Sequence, residues 1–303
     1  MPRRPVAAAL LIVALGCDAR TDDVAPSPPA APPSALASRI AAIALAEHAL
    51  WHRPFIDENG RLASMTVAEA EGARLADGRT EAWRRVAAYW RESGLLWRMR
   101  AMPGAAECAY SPDDAAAIAL CRTFLIDHPW SAAFVSWVMT KAGVPGFVAS
   151  PSHVEFVAHA YRAPGGRPYR LTDPALEAPA AGDLLCFVRS AGEPLGHAGL
   201  RAFLDSHGDA ALPMHCEIVA AVGQGRAHLV GGNVLQGVTL RVLHVNRLGR
   251  LWGLPQRTGL DPGCAPERPQ ACSFNRQDWA ALLKLDPSLQ AAAPPPLPSP
   301  PAR

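Results

Sequence analysis

His128-Pro129-Trp130-Ser131-Ala132-Ala133-Phe134-Val135-Ser136-Trp137-Val138-Met139 reads as a buried helix with a serine in its first turn. Pro129 suits a helix entrance, because its ring presets φ and its missing N–H is not needed there. Phe134, Val135, Val138 and Met139 recur at helical spacing, and Gly143 marks the exit. Ser131 lies one turn before Phe134 and Val135, so it shares their inward face. Unpaired backbone N–H groups and the positive end of the helix dipole favour developing negative charge at that point. Two roles are open to Ser131 on this reading: a nucleophile at a helix N-terminus, or a serine that only caps the helix.

Upstream, the pattern is helical. Ile40, Ile43, Ala44 and Leu50 predict a helix over about 36–50. Thr66-Val67-Ala68-Glu69 has the form of a capping box and predicts a second, over about 66–77. Trp83, Val86, Ala87 and Trp90 form the apolar face of a third that closes near Gly94. Downstream, Ser152 to Ala160 predicts one more helix, and Pro164-Gly165-Gly166 breaks it.

Then the texture changes. Gly182-Asp183 leads into Leu184-Leu185-Cys186-Phe187-Val188, a buried strand. Residues 190–213 read as loop. His215 to Val222, Ala227 to Val230 and Val238 to Val245 read as three more strands separated by tight turns. Helices first and strands after give an α+β class with a small antiparallel sheet and an N-terminal helical extension.

The two ends differ from the middle. Arg3 and Arg4 precede a short apolar run that ends at Gly16-Cys17, the pattern of an export signal. Val13-Ala14-Leu15-Gly16-Cys17 resembles a bacterial lipobox, with Ala14 standing where leucine is usual. That resemblance implies lipid on Cys17, a membrane anchor, and a domain in the cell envelope facing the periplasm. Residues 18–35 read as a Pro/Ala-rich tether, 36–285 as the folded domain, and 286–303 as a disordered Pro-rich tail. The net charge is only +2 and no Lys/Arg stripe stands out, which argues against a nucleic-acid partner.

Seven cysteines fit export. With Cys17 set aside, Cys108 and Cys121 bracket one irregular stretch, and Cys264 and Cys272 bracket another, so each pair is a candidate disulfide. Cys186 and Cys216 sit in strand-like runs and read as buried thiols, with pairing between them left open. No cysteine spacing suggests zinc. Neither metal nor cofactor is expected.

The motif order is a helix with Ser131, then Gly182-Asp183-Leu184, then His215-Cys216-Glu217-Ile218-Val219, then Gly231-Gly232-Asn233-Val234. It resembles the NlpC/P60 and CHAP group of papain-like amidases, and more closely the bacterial DUF2272 family. Pro129-Trp130-Ser131-Ala132-Ala133-Phe134 and Tyr89-Trp90 add to the likeness, which covers about residues 36–255. The resemblance implies a papain-like core and a hydrolytic site made of Ser131, His215 as base and Asn233 orienting the ring. It also implies cell-wall peptide or an envelope protein as partner. The wider superfamily carries cysteine where this chain has Ser131. A serine hydroxyl does not ionise as a thiol does, so it needs a general base in the transition state. His153, His128 and Asp183 are further candidates near the cleft. His153 is there because its helix can reach it, and Asp183 also reads as the cap of a turn. An inactive relative that keeps the cleft and binds peptidoglycan or a partner protein is the alternative.

Overall fold

The computed structural model of the protein describes residues 32–290, except 69–71, 111, 164, 166–167, 190–191 and 252. Cys17, the signal segment, most of the tether and the tail from 291 lie outside the described residues. Among the described residues no helix is long and apolar enough to cross a membrane.

The helices are α1 (Ala35–Leu50), α2 (Ala82–Glu92), α3 (Leu95–Arg98), α4 (Ala105–Cys108), α5 (Ala115–Asp127), α6 (Ser131–Ala142), α7 (His153–Arg162) and α8 (Gly196–His207). The strands are β1 (Phe55–Ile56), β2 (Tyr169–Thr172), β3 (Leu184–Val188), β4 (Met214–Gly223), β5 (Arg226–Val234), β6 (Gly237–His244) and β7 (Asp278–Leu285). They form one seven-stranded sheet in the order β1-β6-β5-β4-β3-β7-β2. Every pairing is antiparallel except β1 with β6. The α+β class holds, but the sheet is larger than a small meander.

The extra width comes from segments with weak sequence signals. β1 is two residues long, and β2 and β7 are joined only through pairings remote in sequence. The predicted helix over 66–77 is absent among its described residues, where the chain runs irregularly to an Arg74–Glu81 bridge. The capping-box letters are there, but among the described residues of 66–77 only Val67 and Leu75 have buried side chains to hold a helix face. The loop expected over 190–213 contains α8, and the stretch between Cys108 and Cys121 contains the beginning of α5.

One face of the sheet carries the helices. Residues of α1, α2 and α6 share a core with Cys186, Cys216, Ile218 and Val230. Ten of the twelve residues of α6 are buried, including Phe134, Val135, Val138 and Met139. Each such large apolar side chain contributes about 1.5–3 kcal/mol on leaving water. Tyr89 of α2 stacks on Trp130 at 5.6 Å and meets Phe134 edge-on at 5.3 Å, which fixes the entrance of α6. The opposite face of the sheet has a smaller core of Leu185, Phe187, Leu229, Trp279 and Leu282, packed with Leu251 from the segment after β6.

Three disulfides are present. Cys108–Cys121 and Cys264–Cys272 pair as the spacing suggests. Cys186 and Cys216 are not free thiols. They sit directly opposite each other on β3 and β4 and are joined. Strand pairing places the two side chains together, and that register is not visible in either run by itself.

Candidate active site

Ser131 is the first residue of α6, and its N-cap is Trp130, which makes no side-chain cap. Of the two roles open to Ser131, the N-cap is therefore not the position it takes. Its hydroxyl is instead hydrogen-bonded to His153 Nε2 at 2.8 Å. His153 is the first residue of α7, so two helix starts meet at this contact. Ser131 is 6% exposed and His153 4%. For the hydroxyl to donate, Nε2 must be unprotonated, which puts the ring proton on Nδ1. That Nδ1 has no hydrogen-bond partner within the described structure.

His215 does not take the Ser131 hydrogen bond. Its ring lies 5.2 Å from that of His153, edge to face. Alternation along β4 explains the difference. Cys216 points into the core that α6 shares. His215 points the other way, against its cross-strand neighbour Phe187 at 5.2 Å. A role for His215 as the base of Ser131, which the resemblance implies, would need these two neighbours on the reverse faces.

Two residues further along β4, Glu217 shares the His215 face. Its carboxylate lies 3.6 Å from His215 Nε2, longer than a well-formed hydrogen bond. Arg241 of β6 grips both Glu217 oxygens through Nε, at 3.0 and 2.8 Å. Burial opposes the charge on Glu217, but the Arg241 guanidinium outweighs it and holds the carboxyl at about 2. Arg241 also donates through Nη1 to Asn275 Oδ1 at 3.0 Å. Burial pushes the His153 imidazole well below its usual range, with His215 and Arg189 adding to the effect. Burial lowers His215 as well, although Glu217 pulls against it. Both rings are thus neutral near pH 7.

The Gly231-Gly232-Asn233 stretch has a steric reason. A Cβ on Gly232 would lie 2.4 Å from Phe134 Cβ. A Cβ on Gly231 would lie 3.1 Å from His215 Nε2 and 2.9 Å from Glu217 Cγ. The strand passes between α6 on one side and the His215–Glu217 pair on the other, and has room for neither methyl. Asn233 follows with φ of 56°, where the β5–β6 register shifts. His215 and Asn233 line an open pocket of about 280 Å³ together with Phe187, Arg189, Arg241 and Gln277. Ser131 is not among the residues lining it.

The remaining candidates lie elsewhere. His128 caps the end of α5, donating from Nδ1 to the Phe124 carbonyl at 3.0 Å while its ring stacks on Phe124. Asp183 ties the turn before β3 by accepting from the Ala180 N–H at 2.7 Å and the Leu285 N–H at 2.9 Å, and it pairs with Lys284. Both are structural. Glu217, Arg241 and Arg189 were missed in sequence. The two-residue step from His215 to Glu217 along a strand is the signal that points to the first of them. Among the described residues no group of three or more His, Cys, Asp or Glu is placed to hold a metal ion.

No curated protein and no solved structure matches the chain. A family model does match, over residues 77–285, which takes in α2 through β7 and leaves α1 outside. That span exceeds half of the chain, and the protein belongs to DUF2272, a family described as an uncharacterized protein conserved in bacteria.

Proposed function

We propose that this protein is a cell-envelope lipoprotein with a papain-like hydrolase cleft. In this reading it cleaves amide or ester bonds of cell-wall peptide, with Ser131 as nucleophile and His153 as its base. The observation that carries the reading is the 2.8 Å contact of Ser131 Oγ with His153 Nε2 at the start of a buried helix.

The chemistry follows from that geometry. His153 takes the hydroxyl proton as Oγ attacks a carbonyl carbon, and later returns it to the leaving amine or alcohol. The Phe134 N–H closes the first turn of α6 onto the Trp130 carbonyl at 2.9 Å. The N–H groups of residues 131–133 have no carbonyl of α6 one turn back, so they are donors for the oxyanion. Among the described residues no carboxylate meets His153 Nδ1, so this is a Ser–His dyad rather than a triad. An imidazolium on His153 gains no neutralising partner, and more of the rate rests on the helix end.

The covalent framework supports the cellular setting of this reading. Three disulfides suit an oxidising compartment. If Cys17 carries the anchor, Cys17→Ser releases the chain into the soluble fraction; unchanged membrane fractionation counts against the anchor.

A second reading is a catalytically silent cleft that binds peptidoglycan or an envelope protein. The burial of Ser131 and the absence of Ser131 from the open pocket favour it. The experiment that separates the two is hydrolysis of isolated peptidoglycan and of simple esters by the wild type and by Ser131→Ala, His153→Ala and Ser131→Cys. Turnover by the wild type, abolished in both alanine variants, supports the hydrolase. No turnover by the wild type with turnover gained in Ser131→Cys supports the silent cleft.

A further inference from the structure

We propose that the pocket beside His215 is a recognition site for an organic carboxylate, such as the C-terminal group of a short peptide. This inference concerns binding and stands whether or not Ser131 is a nucleophile.

The charges in the pocket do not cancel. Arg241 and Glu217 neutralise one another in a buried ion pair. Arg189 is exposed at the mouth, directly after β3, and its side chain has no ion-pair or hydrogen-bond partner among the described residues. His215 is 3% exposed and lines the same pocket, and its Nε2 has no hydrogen-bond partner. The lining therefore carries one uncompensated positive charge next to a buried neutral imidazole. It also carries Gln277, whose Nε2 donates one N–H to the Phe274 carbonyl at 3.0 Å and keeps the other. A carboxylate is the ligand that such a set recognises: a planar anion accepting from a guanidinium fork and from an amide N–H.

The rest of the lining selects an organic anion over a bare inorganic one. Ile56, Phe274 and Leu235 supply an apolar wall. A volume of about 280 Å³ accommodates a group of a few heavy atoms, such as one small residue at the end of a peptide. The pocket also adjoins the Ser131 site through the two imidazoles, whose centroids are 5.2 Å apart. A bound anion favours the protonated form of His215, and so couples occupancy to that imidazole.

The test is calorimetric titration of the disulfide-intact chain with three probes: N-acetylalanine, N-acetylalanine amide and inorganic phosphate. Binding of the acid, with the amide and phosphate each at least about tenfold weaker, is expected from the loss of one charge-assisted contact. Arg189→Ala should weaken the acid about tenfold, and Arg189→Lys should recover part of it. As Arg189 is exposed and unpaired, neither change disturbs the fold, and matching melting curves check this. Acid and amide binding alike, phosphate binding more tightly than the acid, or no effect of Arg189→Ala each overturns the proposal. Binding without hydrolysis supports this site and counts against the enzyme reading. Hydrolysis with no preference for acid over amide overturns this site alone.

Discussion

Ser131 Oγ and His153 Nε2 are 2.8 Å apart across the junction of two helix starts, and both are almost wholly buried. The relationship has a consequence for stability as well as for chemistry. His153 and His215 are both held below their usual range, mainly by burial. In the unfolded chain each titrates near about pH 6.5. Below that pH the unfolded state binds more protons than the folded one, so stability falls as the pH drops. Melting temperatures between about pH 7.5 and 5 should therefore decline for the wild type and decline less for His153→Gln with His215→Gln. A wild-type curve that is flat or rises toward acid contradicts the assignment of two buried neutral imidazoles.

The bond between Cys186 and Cys216 ties β3 to β4 one residue from His215. Replacing both cysteines by alanine should cost about 2–4 kcal/mol in a denaturant titration. Non-reducing peptide mapping should recover all three pairs, Cys108–Cys121, Cys186–Cys216 and Cys264–Cys272. Finding Cys186 and Cys216 as free thiols in protein from an oxidising compartment contradicts the pairing.

Gly232 and Gly231 make separable predictions. Gly232→Ala drives a methyl into Phe134 and should destabilise by about 1–3 kcal/mol, the usual range for overpacking. Gly231→Ala presses instead on His215 and Glu217. It should change the His215 ring signals in an NMR spectrum more than Gly232→Ala does. Equal stability of wild type and Gly232→Ala would show that the strand does not pass as close to α6 as described.

The buried helix and its serine were legible because α6 carries a dense apolar pattern, a proline before it and a glycine after it. Strands β3 to β6 were legible for the same kind of reason: each is a run of apolar residues between turn formers. β7 was not. Its partners are β3 and β2, ninety or more residues away in sequence, and no local signal encodes that pairing. The site shows the same division. Ser131, His153 and His215 stand out as residue types, but which histidine meets the serine depends on the face each strand residue takes. One step of alternation along β4 turns His215 toward Phe187 and Glu217, and leaves the hydroxyl to His153. Capping-box letters at 66–69 misled because a cap without a buried face does not make a helix.

The buried ion pair gives one further expectation. Arg241→Gln leaves Glu217 as an unpaired buried carboxylate and should destabilise by about 3–5 kcal/mol, whereas changing both residues to apolar ones of similar size should cost less. A double-mutant cycle measures the difference, and additive costs would contradict the pair as a coupled unit.

The most direct test of the Ser131–His153 reading is labelling by a fluorophosphonate, which reacts only with an activated serine hydroxyl. The wild-type chain should be modified at Ser131, located by peptide mass spectrometry, and labelling should disappear in Ser131→Ala and in His153→Ala. His215→Ala should label more slowly but still at Ser131. No adduct at Ser131 in the wild type, or an adduct that persists at full rate in His153→Ala, contradicts the account.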